Sequence, residues 1–272
     1  EKGITAPQGA AAASEAAQAI ARSLLGGERK AVLLGNAAAH HAQASQLLAL
    51  ANWIAENTGA SVGYLTEAAN TVGAQFVGAY PAGVGRNAAQ MLSGGLKAAV
   101  LLNTEPVHDS AAGAQAATAL AGAEMVVTLS PFKANMEFSD VLLPIAPFTE
   151  TSGSFVNAEG RIQSFHAVVR PLGDTRPAWK VLRVLANLLG VPGFDFETSQ
   201  DVLARATNAP AGTVTQVPAA QLSNAVKAVP AATAAAGEPV VASIYQLDGL
   251  VRRSTSLQLT ADARMAREGV AA

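Results

Sequence analysis

Cysteine is absent from all 272 residues. Disulfides, thiolate zinc sites and iron–sulfur clusters ligated by cysteine are therefore excluded within this chain. Long apolar runs are missing as well. No stretch reaches the roughly 18 unbroken apolar residues that a membrane-spanning helix needs. Charge is sparse, with Asp, Glu, Lys and Arg making up 14% of the chain and a net charge of −2. Neither a basic patch nor interleaved aromatics point to nucleic acid. The hydrophobic share of 50% is inflated by alanine. That length suits one large domain or one and a half. The opening Glu1-Lys-Gly-Ile lacks both a methionine and a signal peptide's basic-then-apolar order. It suggests a piece cut from something longer.

What is present alternates between helical and strand-like stretches. Residues 10–25 form an alanine-rich helix whose apolar contacts are Ile20, Leu24 and Leu25, ended by Gly26-Gly27. Residues 30–34 make a short buried strand, residues 41–57 a helix with a stripe through Leu47, Leu50 and Ile54, and residues 61–65 a second strand. That order predicts a right-handed crossover onto a parallel sheet. Residues 66–81 lack a period and are expected to be loop. A short helix at 86–96 leads to a buried strand at 98–103. Asp109 is placed to cap a helix over 110–121, and strands follow at 125–129 and 141–143. Five strands alternating with helices predict an α/β fold with a doubly wound, mostly parallel Rossmann-like sheet. Ligands of such sheets sit beyond the strands' carboxyl ends, here near Asn36, Asn103-Thr104-Glu105 and Ser130.

The expected divisions are an α/β domain over residues 1–147, a hairpin and helix extension over 148–206, and an alanine- and proline-rich linker with a flexible tail over 207–272. Pro177 suits the first turn of a helix over 179–189, with Trp179, Leu182, Leu185 and Leu189 on its buried face. A further helix is expected at 195–206 and another at 219–228. Residues 229–238 read as flexible linker, 240–247 as a strand and 252–267 partly as a basic helix, with Ala271-Ala272 fraying.

Several residues invite a chemical role, and each has a plainer alternative. His40 and His41 are neighbours that do not share a helix face, and no H-E-x-x-H pattern accompanies them. His40 reads as a loop or helix-start residue. Ser152 and Ser154 lack a nucleophile elbow. Glu150 and Glu159 read as turn and hairpin carboxylates rather than an acid/base pair, and Arg161 as a partner for one of them. Gly83-Val-Gly85-Arg-Asn-Ala88 satisfies G-x-G-x-x-A, with Glu105 about where a ribose-binding acid belongs. However, Gly78 and Pro81 upstream spoil the strand-to-helix turn that motif requires, which favours a glycine-rich connection over NAD binding. No catalytic, cofactor-binding or metal-ligating residue is assigned.

Residues 137–176 organise the rest. Val141-Leu-Leu143 is stopped by Pro144 and Pro147, a strand leaving a sheet. Residues 155–157 and 161–165 flank Ala158-Glu159-Gly160, whose glycine supplies the positive φ of a hairpin turn. The run from Asp140 to Gly190 resembles the family of large iron–sulfur subunits of bacterial NADH:quinone oxidoreductase, respiratory complex I. E-T-x-G-x-x-x-N-x-E-G-R-x-Q, from Glu150 to Gln163, resembles the hairpin of the wider molybdopterin oxidoreductase superfamily. Val251–Arg264 (VRRSTSLQLTADAR) is similar to the end of the same large subunit.

The resemblance implies a structural domain without a molybdopterin of its own, in a complex that passes electrons from NADH to quinone. It implies iron–sulfur clusters in a part of the subunit outside this segment. The implied partners are that iron–sulfur part and other peripheral-arm subunits, on the cytoplasmic face of the membrane. A cofactor-binding enzyme domain, for a dinucleotide or a molybdopterin, is the alternative reading.

Overall fold

Ser14 starts the first helix: its hydroxyl accepts the Ala17 N–H and fixes the N-terminus of α1 (Glu15–Gly26). The computed structural model describes residue 9 and residues 11–226 and 243–268. These fall into two compact units. The first takes the described residues up to Gly73, Val156–Gly160 and the described residues from Val217 to 226. Here β1 (Ala31–Leu34) is followed by α2 (Asn36–Ala39), α3 (Ala44–Thr58) and β2 (Ser61–Tyr64). The strands pair in parallel, from Ala31 opposite Ser61 to Leu34 opposite Tyr64. Ala49 and Ala51 of α3 are buried. The stretch read as loop contains a short helix, α4 (Thr71–Phe76), at the boundary of the units.

The second unit holds Ala74–Phe155, Arg161–Gln216 and the described residues from 243. Asn87 and Gln90 form a reciprocal capping box on α5 (Ala88–Leu92). Then come β3 (Ala98–Leu102), α6 (Pro106–Asp109), α7 (Gln115–Ala121), β4 (Met125–Ser130) and β5 (Val141–Pro144). The sheet order is β3-β4-β5, parallel throughout, with Ala99 opposite Val126 and Leu129 opposite Leu143. One face carries the core, where Leu120 of α7, Val126 and Phe138 pack among Leu92, Leu96, Ala99, Leu101 and Val107.

The α/β class and the parallel pairing are as the sequence implies. Among the described residues β1 pairs with β2, and β3, β4 and β5 pair in a second parallel sheet. β3 is not buried on both faces: Val100 is 55% exposed, because β3 is an edge strand and α7 packs from one side. β1 alternates likewise. Ile20 of α1 is 61% exposed and does not act as a packing contact; the short side chains around it leave α1 with no buried residue.

The hairpin forms where expected, β6 (Gly153–Val156) with β7 (Ile162–Phe165). Gly160 takes φ +83° at its turn, a conformation that side chains with a Cβ resist. Gly153 is needed for another reason. A Cβ there would lie 2.8 Å from Cζ of Phe165, whose ring is held 5.1 Å from that of Phe155. Gly153→Ala should therefore destabilise by about 1–3 kcal/mol, as overpacking does. A thermal melt of G153A beside G153A/F165L checks this, since the smaller leucine should recover most of the loss.

The remaining helices are α8 (Ala178–Leu188), α9 (Ser199–Thr207), α10 (Ile244–Leu247), α11 (Gly249–Arg253), α12 (Thr255–Gln258) and α13 (Ala261–Glu268). Pro177 precedes α8 as its N-cap. Trp179, Leu182 and Leu185 are half-buried, but Leu189 has already left the helix and is 70% exposed. In place of a strand over 240–247, residues 244–247 form a helical turn because Ser243 caps them. The basic stretch 252–267 is three helices, interrupted at Ser254 and at Leu259-Thr260. Of the helix expected at 219–228, only a single turn at Ala219–Gln221 forms, and residues 227–228 lie outside the described residues. The linker at 229–238, residues 240–242, the chain's first eight residues and Ala271-Ala272 also lie outside them.

Candidate functional site

The carboxyl ends of β3 and β4 open into a crevice of about 260 Å³ in the second unit. Its floor is built by polar groups that fix the loops. Asn103 leaves β3 at φ +49°, a left-handed position that asparagine tolerates, and its N–H extends the ladder to the Leu129 carbonyl at 2.8 Å. Asn135, buried and also left-handed, donates through Nδ2 to the Thr104 carbonyl at 3.0 Å and to Thr128 Oγ1 at 3.4 Å. Thr128 and Ser139 share a hydrogen bond of 2.7 Å. After β4, the Ser130 hydroxyl accepts the Phe132 N–H.

Two carboxylates line one side. Asp109 does not cap a helix over 110–121; that helix begins only at Gln115, without a side-chain cap. Instead Asp109 Oδ2 accepts the Glu105 N–H at 2.7 Å and the Thr104 hydroxyl at 3.2 Å, which ties down the turn after β3. Glu105 faces two arginines from α11. Arg253 makes a fork to it, Nη1 to Oε1 at 2.7 Å and Nη2 to Oε2 at 2.9 Å. Arg252 reaches Glu105 Oε1 at 2.9 Å and Asp109 Oδ1 at 3.2 Å. The side chains of both Glu105 and Arg252 are 13% exposed. The Arg253 guanidinium also lies 4.2 Å from the centre of the Phe132 ring. Burial alone would push the Glu105 carboxyl up, but the hydrogen bonds and charges of Arg253 and Arg252 outweigh it and hold the group below its ordinary value.

The crevice lies at two of the three strand ends where the sequence expects ligands, Asn103-Thr104-Glu105 and Ser130; Asn36, the third, starts α2 in the first unit and does not line it. Nothing in the sequence around these strand ends places Arg252 and Arg253 against Glu105. Glu105 is engaged by these arginines rather than free for a ribose. The Gly83–Ala88 loop does not follow a strand, and the helix after it has only five residues. It lacks the strand-to-helix turn that aims N–H groups at a pyrophosphate.

A phosphate-bearing pterin, the group that the superfamily implies, does not fit this crevice. Ligand pockets usually offer roughly 300–1,000 Å³. Anionic groups would meet Glu105, Asp109 and Asp248, while Arg252 and Arg253 are already paired.

In the first unit, His40 sits in the turn that closes α2, the loop placement rather than a helix start, and its Nε2 lies 2.6 Å from Glu67 Oε2. His41 Nδ1 accepts the Gln43 N–H at 3.0 Å. The Glu150 carboxylate accepts the Leu172 N–H, a turn role. Among the described residues no group of three His, Asp or Glu side chains could hold a metal, and no helix is long and apolar enough to cross a membrane.

Residues 3–188 match the molybdopterin oxidoreductase family. A Bacillus subtilis (strain 168) protein named "Probable oxidoreductase YjgC" is 41% identical over 70 residues, which are 26% of this chain and 7% of that protein. A Staphylococcus aureus (strain bovine RF122 / ET3-1) protein named "Putative formate dehydrogenase SAB2186c" is 45% identical over 53 residues, 20% of this chain and 5% of that protein. The aligned stretches are therefore less than a tenth of these relatives' lengths. With the family match running through every strand from β1 to β7, the chain belongs to the molybdopterin oxidoreductase family.

Proposed function

We propose that this chain is a non-catalytic structural domain of a larger oxidoreductase. The specific reading is the large iron–sulfur subunit of NADH:quinone oxidoreductase, where it supports electron transfer from NADH to quinone. The observation that carries the structural role is the crevice at the ends of β3 and β4. Its arginines are already paired with Glu105 and Asp109 and leave about 260 Å³ beside them. The resemblance of Asp140–Gly190 and Val251–Arg264 to that subunit supports the finer assignment. On this reading the partners are the iron–sulfur part of the same subunit and other peripheral-arm subunits. The location is the cytoplasmic face of the bacterial membrane, without insertion into it.

A second reading, a cofactor-binding oxidoreductase domain, is favoured by the family match and by relatives named as an oxidoreductase and as formate dehydrogenases. Thermal melts with NADH, molybdopterin or GTP separate the two. A ligand specific to the folded state, at a hundred times its Kd, stabilises by about 2.7 kcal/mol. The scaffold reading expects no shift with any of them. A reproducible shift with one, lost on changing residues of the crevice, would replace it with the second.

A further inference from the structure

The acidic edge of the crevice and the segment that occupies it are organised separately. On the receptor side, Asp109 Oδ2 holds the Glu105 and Thr104 turn, and Asn135 holds the Thr104 carbonyl, through bonds made within that side. On the other side, Asp248 Oδ1 accepts the N–H groups of Leu250 and Val251 at 2.9 and 2.8 Å and starts α11. Gln258 Nε2 donates to the carbonyls of Tyr245 and Val251, both at 2.9 Å, and braces the same turn from behind. Arg252 is further held by the carbonyls of Gln246 and Leu247. Two preorganised halves then meet through a forked guanidinium–carboxylate pair, a second arginine shared by two acids, and an aromatic face under Arg253. Such a contact has the chemistry of a ligand in its site rather than of a continuous apolar core.

We infer that the acidic edge of the crevice, Glu105 and Asp109 at the end of β3, is a receptor for a paired-guanidinium segment, occupied in this chain by its own residues 243–258. The inference goes beyond the scaffold reading and does not need it. It assigns Glu105 and Asp109 to binding two neighbouring arginines, and Phe132 to stacking on the second. The segment is tethered, so its local concentration is far above that of any free competitor, and the site stays closed in the intact chain.

The test uses the full chain carrying Arg252→Ala and Arg253→Ala, and a fluorescent peptide with the sequence of residues 243–258. Anisotropy at low salt should show the peptide binding this variant at least tenfold more tightly than it binds the unaltered chain. Adding Glu105→Gln to the variant should weaken the peptide by tenfold or more. A peptide with lysine at both arginine positions should also bind worse, because an ammonium cannot make the fork. Equal binding to both chains, indifference to Glu105→Gln, or no binding at millimolar peptide to a folded variant would overturn the assignment.

If the double variant does not fold, hydrogen exchange on the Glu105→Gln chain decides. The Leu250, Val251 and Arg252 amides should exchange at least tenfold faster than in the unaltered chain while those of β4 stay unchanged. Unchanged exchange in α11 sinks the proposal.

Discussion

Glu105→Ala is expected to lower the unfolding free energy of the second unit by about 3 kcal/mol, as removing one partner of a largely buried ion pair does. The loss comes from what is left behind. Among the described residues Arg253 would keep the Gly249 carbonyl and the Phe132 face, and Arg252 would keep Asp109 and two carbonyls. Two guanidinium groups would then sit half-desolvated with one carboxylate fewer. For a unit of this size the melting temperature should fall by roughly 6–12 °C. Adding Arg252→Ala and Arg253→Ala to the same chain should give back part of that loss, since no stranded guanidinium remains and Asp109 keeps the Glu105 N–H and the Thr104 hydroxyl. Strictly additive losses in urea titrations would show that the three groups are not coupled.

The same pair sets a pH dependence whose sign follows from Glu105. Its folded-state carboxyl is held below the ordinary value, so its contribution is complete above that ordinary value. The contribution is lost as pH falls through the lower, folded-state value. The stability gap between the unaltered chain and Glu105→Gln should therefore be constant from neutral pH down to about the usual carboxylate range, then close as acid is added. A gap that widened in acid would contradict the ion-pair account.

The strands were legible because their signal is local. Ala31–Leu34, Ser61–Tyr64 and Met125–Ser130 are short apolar or small-residue runs bounded by glycine, proline or polar residues, and all formed. Gly160 announced its turn because few residues other than glycine tolerate a φ of +83°. The crevice lies at two of the three strand ends marked in the sequence, since parallel strands expose their carboxyl-end loops whatever occupies them. How deeply each face is covered could not be read. A run such as Ala98-Ala-Val-Leu-Leu102 looks the same on an edge strand as in the centre of a sheet, yet Val100 and Leu102 are exposed. The arginine clasp left no periodic trace either, because Arg252 and Glu105 lie 147 positions apart. The available hint was chemical: Asp248-Gly249 ahead of Arg252-Arg253 is a helix cap followed by paired cations, which need acids somewhere. Glu105 and Asp109, at a strand end, are such acids. His40 and Glu67, 27 positions apart, were missed for the same reason.

Leu120→Ala should cost about 3 kcal/mol, within the range for truncating a fully buried leucine. Leu120 is 1% exposed and packs against Val126 and Phe138, beside Leu92, Leu96, Leu101 and Val107. These neighbours come from α5, β3, α6, β4 and the loops around them, so no single element can move in to fill the gap. Leu189→Ala is the matching control, since an exposed leucine should change stability by no more than about 0.5 kcal/mol. The comparison also separates core from clasp. The packing beneath Leu120 holds β3 and β4, whose ends carry Glu105 and Ser130, so its loss should speed exchange in β4 and α11 together. Glu105→Gln should speed α11 alone. Selective loosening of α11 by Leu120→Ala would mean that the clasp depends on the core directly and is not a separate contact seated on its rim.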